Sequence, residues 1–199
     1  MMDEATRQRL AEEKAQRQQV MRDRLAEAFP GQDGITLEIG CGHGRWLASF
    51  AEVHPERRCV GIDLISRRIR FGEDKQSKRA LSNVLFLKAE CTEFIGALAP
   101  QWQLDDCFML FPDPWPKKRH HKKRMVQDAF LSQLRQVMKP SGRFYFRTDH
   151  TDYFAWTEEK VEKHPDWSLA VDAQWPHEHS SYFQDILPDF QSLVAVPQD

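Results

Sequence analysis

No run of apolar residues in this 199-residue chain approaches the roughly 20 that a bilayer-spanning helix needs. The N-terminus is charged and has no apolar segment, so it carries no secretory signal. Together these absences predict a cytoplasmic protein with no membrane partner. The four cysteines, Cys41, Cys59, Cys91 and Cys107, form no Cys-x-x-Cys pair. Their scatter speaks against a zinc cluster and for free thiols in a reducing compartment. His43, His120 and His121 have no metal-like partners in the sequence, and no metal is assigned. Internal repeats and low-complexity tracts are absent. Basic residues are scarce near the end: residues 150–199 hold 2 basic and 10 acidic side chains, against 26 and 20 in residues 1–149, within a formal net charge of −2. A basic face for a polyanion is therefore possible, while a pI near 6.5 excludes a general nucleic-acid coat.

A hydrophobic content of 41% supports one ordinary domain with a single core. Residues 1–30 read as a helical arm and residues 31–199 as the main domain. The arm, rich in Arg, Gln, Glu and Ala, is either a solvated helix over one end of the domain or an arm toward a polyanionic partner. Short strands are expected over 35–39, 58–62, 84–87, 107–111 and 144–146, with weaker ones near 167–172 and 190–196. Helices are expected through Trp46–Val53, Ser66–Arg79, a short stretch capped by Thr92 and ending near Pro100, Met125–Met138 and Tyr153–Glu162. Pro140-Ser141-Gly142 reads as a turn. Strand and helix alternate at least four times, which predicts an α/β fold: a doubly wound, mostly parallel, seven-stranded sheet. Ligands of such sheets bind at the carboxyl ends of the strands. Gly40–Gly44, Asp63, Glu90, Asp113 and Asp149 are all expected there.

The first strand opens into Glu38-Ile-Gly40-Cys-Gly42-His-Gly44. A dinucleotide site would place the third glycine one residue later, where this chain has Arg45. The carboxylate two residues before Gly40 suits a cationic ligand better than a pyrophosphate. S-adenosyl-L-methionine, with its sulfonium and ammonium and no phosphate, fits that pattern, and a nicotinamide oxidoreductase does not. Asp63 follows the glycines by about twenty residues, where a carboxylate can take both ribose hydroxyls. Glu90 is either an acceptor for the adenine amino group or an acid favouring a helix N-terminus. The fourth strand runs into Phe111-Pro-Asp-Pro-Trp-Pro116, followed by Lys117-Lys-Arg-His-His-Lys-Lys-Arg124. Prolines end the strand and stiffen the loop around Asp113. Trp115 offers a flat face for a base and Lys117–Arg124 offer cations for phosphates.

The glycine motif, Glu90-Cys91, the Pro-Asp-Pro-Trp-Pro-Lys stretch with its basic tail and Thr148-Asp149 occur in order. Together they resemble the bacterial tRNA (guanine-N7)-methyltransferase family over roughly residues 35–160. The glycine motif is common to many methyltransferases; the proline-rich basic stretch is far more specific. The resemblance implies a class I, Rossmann-like methyltransferase that uses S-adenosyl-L-methionine to methylate guanine N7 of tRNA, at guanosine 46 of the variable loop, acting as a monomer or homodimer. It implies that Glu38, Gly40, Gly42, Gly44, Asp63, Glu90 and Asp113 line the cofactor site, that Asp113 is catalytic, and that Lys117 and Asp149 contact the substrate. Asp63 and Glu90 each exchange one acid for the other relative to common members. Near the C-terminus the family carries Thr-x-Phe/Tyr-Glu, whereas this chain has Ser180-Ser-Tyr182-Phe-Gln184; Ser180 and Tyr182 can fill the hydroxyl and aromatic places, and the glutamate is missing. Two further readings stay open: a methyltransferase of another substrate, and a non-catalytic tRNA-binding protein that keeps the fold.

Overall fold

The computed structural model describes residues 3–31, 34–98, 102–178 and 189–198. Its centre is a seven-stranded sheet in the order β3-β2-β1-β4-β5-β7-β6. The strands are β1 (Gly34–Ile39), β2 (Cys59–Asp63), β3 (Val84–Lys88), β4 (Gln103–Leu110), β5 (Met138–Thr148), β6 (Trp167–Leu169) and β7 (Gln191–Pro197). Strands β1 to β5 pair in parallel, and β7 pairs antiparallel with both β5 and β6. The helices are α1 (Glu4–Ala28), α2 (Arg45–Val53), α3 (Ser66–Lys78), α4 (Cys91–Ala97), α5 (Asp128–Val137) and α6 (Thr151–Lys163).

Burial on both faces explains the near-continuous apolar strands, because a parallel sheet is covered by helices on each side. Ile35, Leu37 and Ile39 of β1 and Cys107 and Met109 of β4 pack with residues of α1, α4, α5 and α6. Phe108 and Leu110 of β4 and Tyr145 of β5 turn the other way, into a cluster with Trp46, Leu47 and Phe50 of α2, Ile69 of α3 and the ring of Trp175. The same alternation sends Glu38 toward α2. Only the last part of α1 belongs to the core, through Met21 and Leu25, with Phe29 just beyond it. Further back the helix is tied to α4 by Arg17, whose Nε donates to Glu93 at 2.9 Å.

Three local expectations are corrected. Pro140-Ser141-Gly142 does not end the element before β5; these residues lie within β5 as a bulge. Leu104 pairs with Met138 and Asp106 with Arg143, so residues 139–142 stand opposite Asp105 alone. Lys139 Nζ reaches the Asp105 carboxylate at 2.8 Å, and Pro140 has no N–H to lose from the ladder. The helix expected from Met125 starts at Asp128, because residues 118–123 have already formed a 3₁₀ turn. Thr92 does not cap α4. Glu90 does, accepting from the Glu93 amide at 2.9 Å. That helix ends at Ala97, and Pro100 lies outside the described residues.

Candidate active site

The parallel strands deliver β1, β2, β3, β4 and β5 to one edge of the sheet, and the sequence candidates that can be traced gather there. Glu38 is 3% exposed and one carboxylate oxygen, Oε2, has no hydrogen-bond partner. The Leu47 amide donates to the carboxylate, which is too little to offset burial. Burial, with the charge of Asp63 added, pushes the carboxyl up to about 8. A cation brought alongside would be the missing partner. Gly40 and Gly42 have φ of +71° and +53°, and a Cβ built on either would meet nothing within 4 Å. They therefore edge an open cradle above Glu38. Gly44 is constrained differently: its Cβ would lie 2.5 Å from the Phe86 ring, so this glycine lets the loop pack closely on α3 and β3.

Asp63 ends β2 and is 6% exposed. Its oxygens accept from the Gly42 amide at 3.1 Å and the Ile65 amide at 2.8 Å, and Arg68 approaches at 3.4 Å. The residue thus pins the glycine loop to the start of α3. Glu90 sits half-buried at the next strand end, with its Oε2 engaged in capping α4. The helix-capping alternative read from the sequence is the geometry seen.

Past β4 the chain enters the proline loop. Phe111 and Trp115 have φ of +50° and +47°, a left-handed conformation costly for bulky side chains. Asp113 lies between them and is exposed. The loop holds this shape because Arg124 sits beneath it. Arg124 is 2% exposed, donates from Nε to the Pro114 carbonyl at 2.9 Å and from Nη1 to the Asp152 carbonyl at 3.2 Å, and lies over the rings of Tyr153 and Trp156. Burial pushes the Tyr153 hydroxyl up to about 12, with a small contribution from the charge of Asp113. Arg124 is therefore a buried prop, not a phosphate contact, and the cationic surface narrows to Lys117–Lys123. Trp115 is half-buried, with Lys123 Nζ 4.5 Å from its ring centroid and His120 against it edge-on. One face of that indole already carries a cation, so the expected stacking of a base is left to the other.

Asp149 is exposed just beyond β5, after the buried Thr148. Lys117 is exposed at the entrance to the 3₁₀ turn. Ser180 and Tyr182 lie outside the described residues. Among the described residues no group of three or more His, Cys, Asp or Glu could hold a metal. Sequence reading missed Arg147, which is 3% exposed at the end of β5. Its guanidinium lies 3.9 Å from the Trp175 ring centroid and 4.4 Å from that of Phe190, and its Nε donates to Ser192 Oγ at 2.8 Å. An arginine ending an apolar strand was the available signal.

Strand order, helices on both faces and a glycine cradle over a buried carboxylate define the class: a class I methyltransferase fold. A family model described as "Putative methyltransferase" matches residues 32–193, and the chain belongs to that family. The chain is 35% identical over 144 residues to a tRNA (guanine-N(7)-)-methyltransferase of Caulobacter sp. (strain K31), covering 72% of this chain and 63% of the relative. To its counterpart in Alkalilimnicola ehrlichii it is 36% identical, covering 71% and 60%. To that of Enterococcus faecalis it is 29% identical, covering 85% and 78%. The chain thus spans under two thirds of the length of the first two of these relatives. An antibiotic-related methyltransferase superposes with TM-score 0.58 at 22% identity, covering 88% of this chain and 92% of the other. The aminoglycoside resistance methyltransferase NpmB1 superposes with TM-score 0.61 at 16% identity, covering 89% and 93%. These two likenesses concern the fold alone.

Proposed function

We propose that this protein transfers a methyl group from S-adenosyl-L-methionine to guanine N7 in tRNA, at guanosine 46 of the variable loop, in the cytoplasm. One observation carries the reading: a cradle suited to a cationic cofactor opens at the same sheet edge as a rigid, exposed Asp113 and a run of cations. A small substrate has no need of that run. The tRNA (guanine-N(7)-)-methyltransferases to which the chain is similar support the same substrate.

The cofactor supplies an electrophilic methyl carbon on a sulfonium. Glu38 answers its positive charge, Gly40 and Gly42 let it approach the backbone, and Asp63 and Glu90 offer carboxylates toward its ribose and adenine. Guanine N7 has an in-plane lone pair and needs no deprotonation, so no strong general base is required. What remains is alignment, which can supply much of a rate. Asp113, fixed by Arg124 and the prolines, accepts from the guanine N1–H and amino group and favours the positive charge that develops on the ring. Asp149, exposed just beyond the end of β5, shares this role. Lys117–Lys123 hold phosphates. Ser180 and Tyr182 supply the hydroxyl and the aromatic ring that the family pattern assigns to the substrate. A nucleotide buried in the tRNA core is exposed first.

The test is methyl transfer from labelled adenosylmethionine to unmodified tRNA, followed by nucleoside mass spectrometry. A 7-methylguanosine product that disappears when guanosine 46 is replaced is the expected result. Cofactor binding without that product would sink the assignment.

A further inference from the structure

The cationic run past β4 is one flank of the cradle. The other flank, α3, carries six basic residues, Arg67, Arg68, Arg70, Lys75, Lys78 and, at its C-cap, Arg79. Four are distinguishable by what they do. Arg68 approaches Asp63, Arg79 pairs with Glu52 at 2.8 Å, and Lys75 donates to the His43 and Phe71 carbonyls. Arg67 forms no ion pair among the described residues; its guanidinium instead lies 5.7 Å from the centroid of the Phe71 ring. That ring is 36% exposed and is held edge-on by His43 of the glycine loop. Arg70 and Lys78 are exposed and likewise form no ion pair among the described residues.

Position separates these remaining cations. Helix α3 starts at the carboxyl end of β2 and runs back along the sheet, so Arg67 and Arg70 lie in its first turns at the site edge while Lys78 is about 16 Å further down the helix from Arg67. The acids of the helix, Glu73 and Asp74, also follow Arg70 rather than precede it. Strand β2 lies two strands from β4, so the strand ends that launch the two flanks are about 10 Å apart at the sheet edge. A polyanion seated over the cradle would span both.

We infer that Arg67 and Arg70 form a second phosphate-binding surface for the RNA substrate, on the opposite side of the cradle from Lys117–Lys123. This rests on the tRNA reading and extends it. The RNA backbone is thus gripped on two sides of the reacting base, with Arg67 pre-ordered on Phe71 rather than committed to a carboxylate.

The experiment measures binding of unmodified tRNA to the wild type and to the Arg67→Gln/Arg70→Gln double variant across roughly 50–200 mM salt, with calorimetry of S-adenosylhomocysteine binding alongside. The variant is expected to lose about tenfold or more in tRNA affinity at low salt, and its log–log salt slope should shrink by about 2, one phosphate for each arginine. Its S-adenosylhomocysteine affinity stays within about twofold, because among the described residues neither arginine has a hydrogen bond or ion pair to Glu38 or Asp63. An unchanged slope, with the wild type still binding tRNA, would overturn this surface and leave the tRNA reading standing. A matching loss of S-adenosylhomocysteine affinity would reassign the arginines to the cofactor pocket and overturn it as well. A wild type that ignores tRNA would remove both.

Discussion

Glu38 is a carboxylate placed where water cannot answer its charge, and two consequences follow. It takes up a proton on folding between its ordinary 4.5 and about 8. Its contribution therefore favours the folded, ligand-free state at low pH and is lost as pH rises through 8. A cationic cofactor requires the ionised form, so its affinity should weaken by up to about tenfold per pH unit below 8, with a proton released on binding. Calorimetry in buffers of different ionisation enthalpy reads that proton directly. Glu38→Gln should abolish the proton release, weaken cofactor binding by about tenfold or more, and raise the ligand-free melting temperature at pH 8–9. Asp113→Asn should lower turnover by about 10²–10³-fold while tRNA affinity changes little, because on the proposed reading Asp113 serves the base rather than a phosphate. Full turnover in that variant would end its catalytic role. A third site shows why geometry must be read down to the proton. Ser132 Oγ lies 3.0 Å from His164 Nε2, with Asp166 beside the other nitrogen, the outline of a nucleophilic triad. The Asp166 amide, however, donates to His164 Nδ1 at 3.2 Å. Neutral His164 then carries its proton on Nε2 and donates to the serine, so it cannot act as a base.

At the scale of elements, the segment from Phe111 to Arg124 was legible in composition but not in division of labour. Prolines announced the rigid loop, and the basic run announced a surface. Nothing in the spacing could show that the last cation turns inward, because that depends on α6 bringing Asp152, Tyr153 and Trp156 beneath the loop. Arg124→Lys should therefore cost about 1–3 kcal/mol, since an ammonium cannot reach both carbonyls as the guanidinium fork does. It should also lower turnover through Asp113, without changing the salt slope of tRNA binding. Neutralising Lys117, Lys118 and Arg119 together should do the reverse: binding weakens and the slope falls by up to about 3, while thermal stability holds. The two outcomes separate prop from surface. The bulge in β5 was hidden for a similar reason. Pro-Ser-Gly is turn chemistry anywhere, and only Asp105 on the neighbouring strand converts it to an inserted loop within a continuing ladder.

For the whole molecule, alternation of strands and helices carried the topology well. Runs of three to five residues were found at the right places, and the weak β6 and β7 were found too. What pattern alone could not give was the company each strand-end residue keeps: Asp63 gathered by two amides, Glu90 capping its own helix through one oxygen, Arg147 among Trp175, Phe190 and Ser192. Charge burial also sums over the molecule. Besides Glu38, Asp106 is buried in the middle of β4, beside Thr36 of β1; its pairing with Arg57 at 2.6 Å only partly offsets burial, which pushes it up to about 6. Both groups gain protons on folding, so the melting temperature of the ligand-free protein should fall as pH rises from about 5 to 8. Saturating cofactor should flatten the upper half of that fall, because it supplies the partner that Glu38 lacks. A flat profile without cofactor would contradict the burial of both carboxylates.

The four cysteines, all buried, acquire another meaning beside an alkylating reagent. Cys41 sits inside the glycine loop and Cys91 opens α4 beside Glu90. A thiolate is a strong nucleophile, and one placed at either position would compete with guanine for the methyl group. Burial pushes both thiols well above their ordinary range, with Glu38 and Asp63 adding to the rise at Cys41 and Glu90 at Cys91. Burial, with the neighbouring carboxylates adding to it, thereby disfavours the thiolates that a methyl donor would alkylate.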